Sequence, residues 1–511
     1  MFNKVGTSFW LVAIITIIIV FFNLGGVPLL DPDEPVYAET PKEMFAFNEF
    51  VSPRIYGEYW YDKPPMFYWL VAISYKIFGV NEFAARFPSA ILAVACILAV
   101  YLSGRRLFNE RAGMAGALVL ATSIEYFYLG KAAVTDITLL FFLSVSLLSF
   151  IEKRYYTAYL FAGLATLTKG PIGLLFPGGI IFFYLLATRN WSQLKSMKIF
   201  SGLLIYAIVA TPWYVIMYNI HGSIFIDTFL GFHNITRFTS PEHPESVQWY
   251  YYLPVLILGF FPWTAIMLQS MWTSLTRSRN NFSVLLFLNI WALFIFIFFT
   301  ISQTKLVSYI LPMYPPLAMI AGWYIDYLWT SHTKPTSWAI VLGILTVVFT
   351  GGMLMGIQAM PILQNGIHII LIIFILMILF VIYFAWNKRS SYVFWTQIIA
   401  MILFSMVLFA ILFPLAAPNF TTKNISQEFT AQYDGISPVY IIKFLHPGFT
   451  FYTNVYGTEL KIGDDLNQSI QENQRAYFVI RQSDYNLLTE ESRQLVTILS
   501  NVDDKVLLLK N

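Results

Sequence analysis

Charged residues are scarce in this chain. Aspartate, glutamate, lysine and arginine make up 12% of its 511 residues, about half of the roughly 25% found in soluble domains. Hydrophobic residues account for 58% and aromatic residues for 18%, and the mean hydropathy is +0.65. This composition excludes an ordinary soluble enzyme and indicates a polytopic membrane protein. The formal net charge is only +3, and we expect no nucleic-acid partner.

Several features that carry other kinds of chemistry are also missing. Cys96 is the only cysteine, so the chain can form neither an internal disulfide nor a thiolate metal cluster. Neither G-x-x-x-x-G-K-[ST] nor G-x-G-x-x-G occurs, which leaves nucleotide binding without a motif. The apolar runs carry almost no ionisable residue near their centres, whereas ion-coupled transporters need charges at that depth.

What the chain has instead is thirteen apolar runs long enough to cross about 30 Å of hydrocarbon. They lie near residues 8–24, 83–103, 112–129, 135–151, 155–168, 171–188, 199–219, 250–270, 283–301, 306–329, 337–357, 367–386 and 392–413. Lysine and arginine are concentrated in the short loops on one side, so the positive-inside rule places the N-terminus in the cytoplasm and the C-terminal end outside the inner membrane of a bacterium. The first run has no small-residue cleavage site after it, and we expect it to be retained.

The segment between Asp33 and Arg86 is too polar to span a membrane. Within it, the stretches that begin at Pro41 and Pro65 have amphipathic helical spacing and aromatic faces. This pattern predicts helices that lie in the membrane interface, and an ordinary loop is the alternative.

The composition changes at Thr421 to that of a small soluble α/β domain. Strands are predicted from Val439, Ala476 and Lys505, and helices near 421–433 and 489–499. We therefore expect an all-α membrane domain over residues 1–420 and a soluble α/β domain over 421–511. The main outer-face loops of the membrane domain would be 31–82 and 221–249.

Ionisable residues concentrate on the outer face of this topology. They lie at Asp33-Glu34, Asp62-Lys63 and Asp136, and in a loop that contains His221, His233, Arg237, Glu242, His243 and Glu245. Each group alone is explained equally well as a turn, a helix start or an interfacial anchor, and the histidines as ordinary loop polarity. Their clustering on one face favours a site.

Carboxylates beside cations on one face suit the transfer of a group from a phosphate leaving group. Lys63, Arg237 and Lys305 would neutralise the phosphate charge. Asp33 or Asp136 would accept the proton of an attacking hydroxyl. Because such a site lies at the level of the lipid, its donor is expected to be lipid-linked, and aromatic helices beside Lys63 suit a polyprenyl chain.

The chain resembles the aminoarabinose lipid A transferase (ArnT-like) branch of the protein mannosyltransferase-like superfamily. The segments that carry the resemblance are DEPVYAE (33–39), DKPPMFYWL (62–70), ARFPSA (85–90), VTD (134–136), LTKGPIG (167–173), FHNITRF (232–238), Pro262-Trp263 and SQTKLVSYILP (302–312). They occur in order over roughly residues 8–420. The resemblance implies a GT-C fold, with about 13 membrane helices, juxtamembrane helices after the first span and an active site on the outer face.

The resemblance also implies roles for individual residues. Asp33 would be the catalytic carboxylate, with Glu34 in the same motif and Asp136 lining the same cavity. The carrier phosphate and the rest of the substrate would be bound by Lys63, Arg237, Tyr309, Lys305 and Tyr37. Asp62 stands where relatives have glutamate, and that position and His233 are linked to a zinc ion in the family. Arg86 would order the interface region.

We therefore expect an inverting glycosyltransferase that takes a sugar from an undecaprenyl (polyprenyl) monophosphate carrier. The resemblance suggests aminoarabinose, although none of the shared motifs is specific for a sugar. The acceptor is a hydroxyl or phosphate of lipid A, another glycan or a protein on the periplasmic side. A protein O-mannosyltransferase-like enzyme, or another surface-glycan transferase, differs only in the acceptor. A lipid-linked-sugar transporter and a membrane scaffold that binds a partner are the alternatives from other classes.

Overall fold

A computed structural model describes residues 6–241, 247–276, 281–331, 333–460, 466–472 and 474–510. The chain forms two compact units. The first unit consists of Met1–Phe22, Tyr61–Phe67 and Pro88–Phe409, and the second of Asn23–Trp60, Tyr68–Phe87 and Ala410–Asn511. The polar segment after the first apolar run thus packs with the C-terminal residues, whereas the sequence groups that segment with the membrane domain.

Helices account for most of the described residues. In chain order the first are α1 (Thr7–Phe21), α2 (Asp33–Ala46), α3 (Met66–Phe78), α4 (Glu82–Leu107), α5 (Glu110–Ala121), α6 (Ile124–Leu129), α7 (Asp136–Ile151), α8 (Tyr155–Lys169), α9 (Ile172–Thr188), α10 (Ile199–His221), α11 (Ser223–Ile226) and α12 (Arg237–Thr239). They are followed by α13 (Tyr252–Gly259), α14 (Thr264–Thr276), α15 (Phe282–Ile301), α16 (Tyr314–Ser331), α17 (Thr336–Ala359), α18 (Gln364–Trp386), α19 (Ser390–Val407), α20 (Phe413–Ala416), α21 (Lys423–Gln432), α22 (His446–Thr453), α23 (Leu466–Glu472), α24 (Gln482–Asn486) and α25 (Glu490–Gln494).

Shorter helical segments of other types connect these elements. Segments of 3-10 helix cover Trp191–Lys195, Val307–Met313, Pro361–Leu363 and Ala417–Phe420. Among the described residues, two segments are π-helical, Asp227–Thr236 and Leu408–Leu412.

Six helical runs among the described residues are long and apolar enough to cross a membrane, or seven if the bent pair α13–α14 forms one span. The predicted count of thirteen spans is therefore not confirmed. The six runs are α4, α10, α15, α17, Pro361–Trp386 and Ser390–Phe420. Several other predicted runs contain shorter apolar helices, among them α1, α7 and α9.

Three predicted spans are interrupted in the structure. The run 112–129 divides into α5 and α6 at Thr122 and Ser123, whose hydroxyls donate to the carbonyls of Leu118 and Val119. The run 250–270 divides into α13 and α14 with a bend of 106°, and Pro262 lies in the break. The run 306–329 begins as 3-10 helix before α16. Hydropathy averaged over a window does not detect such breaks because most of the residues around them are apolar.

Close helix packing positions two elements of the first unit. A Cβ atom on Gly322 of α16 would clash with the backbone of Gly116 on α5, and one on Gly116 would clash with the carbonyl of Ala318. Small residues let membrane helices approach closely. The antiparallel pair α7 and α8 places Asp136, the first residue of α7, beside Lys169, the last residue of α8.

The second unit contains both sheets. A two-residue hairpin pairs β1 (Arg54–Ile55) with β2 (Glu58–Tyr59). The larger sheet comprises β3 (Val439–Ile442), β4 (Thr458–Leu460), β5 (Ala476–Arg481), β6 (Val496–Val502) and β7 (Lys505–Lys510), in the order β4-β3-β5-β7-β6. Strand β3 is parallel to β4 and β5, and β7 is antiparallel to β5 and β6. Apolar clusters cover both faces of the sheet.

Most of the predicted secondary structure of the second unit is confirmed. The strands from Val439, Ala476 and Lys505 and the helix near 421–433 are present, as are helices α2 and α3. The predicted helix near 489–499 is wrong beyond Gln494, where the chain enters β6. Thr489 caps only one helical turn, and the β-branched residues from Val496 pair with β7 instead.

Candidate functional site

One cavity of the first unit brings together most of the cations that the sequence singles out. Its volume is about 110 Å³, and we call it the basic cavity. Its charged and hydroxyl-bearing lining includes Asp62, Lys63, Asp136, Lys169, His233, Arg237 and Tyr309. All of these residues lie in the first unit.

The residues reach the basic cavity from distant parts of the chain. Asp62 and Lys63 lie in the loop before Pro64-Pro65 and α3. His233 lies in the π-helix Asp227–Thr236, and Arg237 follows directly. Single π-helical segments are rare and often occur at functional sites, because their wider turn re-aims side chains. Tyr309 comes from the 3-10 helix Val307–Met313.

Asp62 is the centre of a network of positive groups. Its Oδ1 accepts hydrogen bonds from Lys63 Nζ at 2.8 Å and Arg237 Nη1 at 3.2 Å, and His233 Nδ1 lies 2.8 Å from the same oxygen. Burial opposes ionisation of Asp62, but Lys63, His233 and Arg237 outweigh it and hold its pKa below the ordinary value. Burial lowers the pKa of Lys63, and Asp62 opposes that shift. The carboxylate therefore orients the cations around the cavity.

A second ion pair lines the same cavity. Lys169 Nζ donates to Asp136 Oδ1 at 2.8 Å, and it lies 4.9 Å from the centre of the Tyr309 ring. The sequence analysis did not assign Lys169 to the site. The signal that could have identified it is its position in LTKGPIG, one of the segments that carry the family resemblance.

The basic cavity suits an anion attached to an apolar chain. Lys63, Lys169 and Arg237 face the two carboxylates Asp62 and Asp136, which leaves one net positive charge before any protonation of His233. Much of the remaining lining is aromatic or aliphatic, with Phe229, Phe238, Phe298, Phe299, Leu139 and Ile172. Lysine and arginine recognise phosphate, and the apolar lining suits a hydrocarbon chain.

The residues at Asp62 do not fit the zinc ion that the resemblance implies. Zinc sites are built from histidine, cysteine and carboxylate ligands, usually with tetrahedral geometry. Within the described ranges no group of three such residues is placed to hold a metal. The oxygen of Asp62 nearest to His233 already accepts from two cationic side chains. We therefore derive no step through a metal.

Other residues of the predicted outer-face loops have different environments. Lys305 Nζ donates to the carbonyls of Ser302 at 2.6 Å and Val247 at 3.0 Å, and Lys305 is not among the residues that line the basic cavity. Tyr61 and His221 form a hydrogen bond of 3.0 Å. Glu242, His243 and Glu245 lie outside the described residues.

Asp33, Glu34 and Tyr37 lie on α2 in the second unit. Both oxygens of Glu34 accept from Arg86, at 2.8 Å from Nε and 2.6 Å from Nη2. Arg86 also donates to three carbonyls of the turn before α2, those of Leu24, Val27 and Pro28. Arg86 thus orders this region, in the way the sequence suggests.

The other two residues of this motif have different surroundings. Tyr37 stacks on Tyr68, with ring centres 6.1 Å apart. Asp33 is exposed at the start of α2. The catalytic role of Asp33 and the substrate-binding role of Tyr37 stay predictions.

Comparison with known proteins found a family model and several relatives that match parts of this chain. Residues 62–216 match a family model described as dolichyl-phosphate-mannose-protein mannosyltransferase. An uncharacterised protein of Aquifex aeolicus is 32% identical over 327 residues, which cover 62% of this chain and 64% of that protein. The undecaprenyl phosphate-alpha-4-amino-4-deoxy-L-arabinose arabinosyl transferase of Edwardsiella ictaluri is 28% identical over 339 residues, covering 63% of this chain and 60% of the transferase.

A solved structure extends the similarity to the whole chain. ArnT from Cupriavidus metallidurans, crystallised with undecaprenyl phosphate, superimposes with a TM-score of 0.80 over 99% of this chain and 98% of that one, at 21% identity. At that identity the likeness shows the fold. The sequence and structural similarities together confirm the resemblance inferred from the short motifs, and this chain has the fold of the Cupriavidus metallidurans ArnT structure. The matched region spans less than two thirds of each of the two curated relatives above.

Proposed function

We propose that this chain is a membrane glycosyltransferase that moves a sugar from an undecaprenyl monophosphate carrier to an acceptor outside the inner membrane. The observation that carries the proposal is the basic cavity. Three cations from separate segments lie there beside an aromatic lining. The cations suit a phosphate, and the aromatic side chains suit the polyprenyl chain attached to it.

The proposed reaction breaks the bond between the anomeric carbon and the phosphate oxygen. Lys63, Lys169 and Arg237 would stabilise the charge that develops on the departing phosphate. An acceptor hydroxyl would attack the opposite face of the anomeric carbon, so its configuration inverts. Asp33 would take the hydroxyl proton, and the polyprenyl phosphate would leave. Tyr309 and Asp136 would keep Lys169 in place through the contacts described above.

The proposed topology follows the charge bias of the loops. It has thirteen spans, a cytoplasmic N-terminus and a periplasmic domain over residues 421–511. The basic cavity would open towards the periplasmic side of the bacterial inner membrane.

The names of the relatives suggest the sugar and its carrier. The relative from Edwardsiella ictaluri is named as an aminoarabinose transferase that uses an undecaprenyl phosphate donor, and the Cupriavidus metallidurans structure contains undecaprenyl phosphate. We extend the sugar and the carrier to this chain, and the resemblance of its motifs suggests lipid A as the acceptor.

A second candidate is a protein O-mannosyltransferase-like enzyme. The family model that bears that description matches residues 62–216, a range that includes Asp62, Lys63, Asp136 and Lys169. The two candidates share the donor chemistry and differ in the acceptor. Purified chain supplied with the sugar-charged carrier would label lipid A under the first proposal and a serine- or threonine-containing peptide under the second.

The lipids that co-purify with the protein test the donor site. Mass spectrometry of extracts should detect a polyprenyl phosphate with the wild-type chain and not with a Lys63→Ala, Arg237→Ala variant. The matched control is Arg189→Ala, Lys195→Ala, which removes the same charge from two exposed positions of the first unit. Only ordinary phospholipid in all three samples would contradict the proposal.

A further inference from the structure

An apolar groove lies between α17 and α18, two helices of the first unit that are long and apolar enough to cross a membrane. Its volume is about 630 Å³, and its sides include Ala339, Gly343 and Val347 from α17 and Ile382 and Ala385 from α18. Because Gly343 has no side chain and nothing lies within 4 Å of the position of a Cβ atom there, the groove is open at its middle. We call it the α17–α18 groove.

One end of the α17–α18 groove is basic and aromatic. Lys334 and Trp386 both line it, and Lys334 Nζ lies 6.0 Å from the centre of the Trp386 ring. Lys388 and Arg389 follow directly after α18, and the backbone N–H groups of these two residues donate to the carbonyls of Ala385 and Phe384. All three cations and Trp386 are exposed. Tryptophan and lysine at such a position mark the boundary between hydrocarbon and head groups.

These cations have few acidic residues near them in sequence. The chain contains no aspartate or glutamate between Asp326 and Glu428, a range that includes α17, α18 and the loops at both ends. Asp326 itself accepts from Arg111 and Asn109. Among the described residues, no ion pair involves Lys334, Lys388 or Arg389, so their charge is available to an external anion.

We propose that the α17–α18 groove binds one anionic phospholipid. The groove would hold an acyl chain, and Lys334, Lys388 and Arg389 would bind the phosphate of the head group. Basic pockets between membrane helices recognise anionic head groups in this way. A zwitterionic lipid would bring its own cation to the same place, so the site should favour a net negative head group. The groove shares no lining residue with the basic cavity, and this inference does not depend on the transferase proposal.

Native mass spectrometry of the full-length protein tests the inference. Delipidated protein would be mixed with phosphatidylglycerol and phosphatidylcholine of identical acyl chains. We expect one phosphatidylglycerol to be retained in preference to phosphatidylcholine, by about tenfold or more given three basic residues near the head group. A Lys334→Ala, Lys388→Ala, Arg389→Ala variant should lose the preference while still retaining lipid.

Two glycine variants distinguish lipid that is bound in the groove from lipid that only surrounds the protein. Gly343→Leu would fill the groove, and Gly356→Leu is its control, because it lies on the same helix, also faces open space and does not line the groove. We expect Gly343→Leu to lose the retained phosphatidylglycerol and Gly356→Leu to keep it. Equal retention of both lipids by the wild type, or loss with neither the Gly343→Leu nor the triple variant, would overturn the inference.

Discussion

At the scale of single residues, the proposal assigns proton transfer to Asp33. Asp33→Asn keeps the size of the side chain and removes its basicity. A positioned general base contributes about 10²–10⁴-fold, so turnover should fall by about 100-fold or more while the co-purified donor lipid remains. Glu58→Gln is the control, since Glu58 is exposed on the hairpin of the same unit. A loss below about tenfold in the Asp33 variant would remove Asp33 from the proposed role.

The ion pair of Asp136 and Lys169 leads to a second prediction at this scale. If Asp136 acts by holding Lys169 Nζ at 2.8 Å, the effects of Asp136→Asn and Lys169→Met should not add. We expect the double variant to lose no more turnover than Lys169→Met alone, since residues in direct contact couple by about 0.5–3 kcal/mol. Steady-state kinetics of the four proteins measures this coupling. Losses that multiply would instead assign Asp136 an independent role.

The basic cavity also shows which site residues a sequence can reveal. Lys63, Arg237 and Tyr309 were identifiable because they lie in distinctive motifs, and the structure places all three on one cavity. Lys169 was missed because a lysine at a short turn between two apolar runs also has a plain topological explanation. Its pairing with Asp136 depends on the antiparallel packing of α7 and α8, which the pattern of one segment cannot specify.

At the scale of elements, α2 carries a buried carboxylate that makes stability depend on pH. Burial raises the pKa of Glu43 to about 7, although the backbone N–H groups of Gly57 and Tyr56 donate to it and favour its charged form. The folded state therefore binds this proton more tightly than the unfolded state. The resulting stabilisation is complete below the ordinary pKa of about 4.5 and is lost as the pH rises through about 7.

Thermal unfolding at several pH values tests this assignment. The wild-type melting temperature should decrease between pH 5 and pH 8 by more than that of Glu43→Gln, whose side chain cannot ionise. Glu58→Gln, at an exposed position on β2, should follow the wild type. An identical pH profile for wild type and Glu43→Gln would show that Glu43 does not titrate in this range.

The elements themselves were predictable to different degrees. Apolar runs located helices such as α10, α15 and α17 within a few residues because hydrophobicity is a property of the local sequence. The breaks at Thr122-Ser123 and Pro262 were not predictable from hydropathy, since side-chain hydrogen bonds and helix packing decide them. Strand β6 was missed because the predicted helix near 489–499 forms only over Glu490–Gln494, and the β-branched residues from Val496 pair with β7 instead.

At the scale of the whole molecule, the two compact units do not coincide with the membrane domain and the soluble domain predicted from the sequence. Every residue that lines the basic cavity belongs to the first unit, whereas α2, which begins with Asp33, packs within the second unit with residues after 410. Lys42 of α2 donates to the carbonyl of Phe451 at 2.9 Å. The backbone N–H of Asp31, two residues before Asp33, donates to the carbonyl of Phe420 at 2.8 Å. The C-terminal residues therefore help to place the start of α2.

Because the basic cavity and α2 belong to different units, we expect that a variant can lose turnover and still bind the donor lipid. A Cβ atom on Gly448 of α22 would clash with the side chains of Asp31 and Thr422, so Gly448→Val should displace the start of α2. A shift of about 1 Å in a reacting group can cost about 100-fold in rate. We expect turnover to fall by at least tenfold, while the co-purified polyprenyl phosphate stays at the wild-type level because the basic cavity is untouched.

Turnover and the content of co-purified polyprenyl phosphate are both measured on each preparation. Thr497→Val, at an exposed position on β6, is the matched control in the second unit and should change neither turnover nor lipid content. Unchanged turnover in Gly448→Val would show that the C-terminal residues do not position Asp33. Parallel loss of lipid and turnover would show that the effect of Gly448→Val is not confined to the start of α2. Loss of turnover alone would assign the C-terminal domain a positioning role in catalysis, because the donor would still be bound while the proton acceptor is displaced.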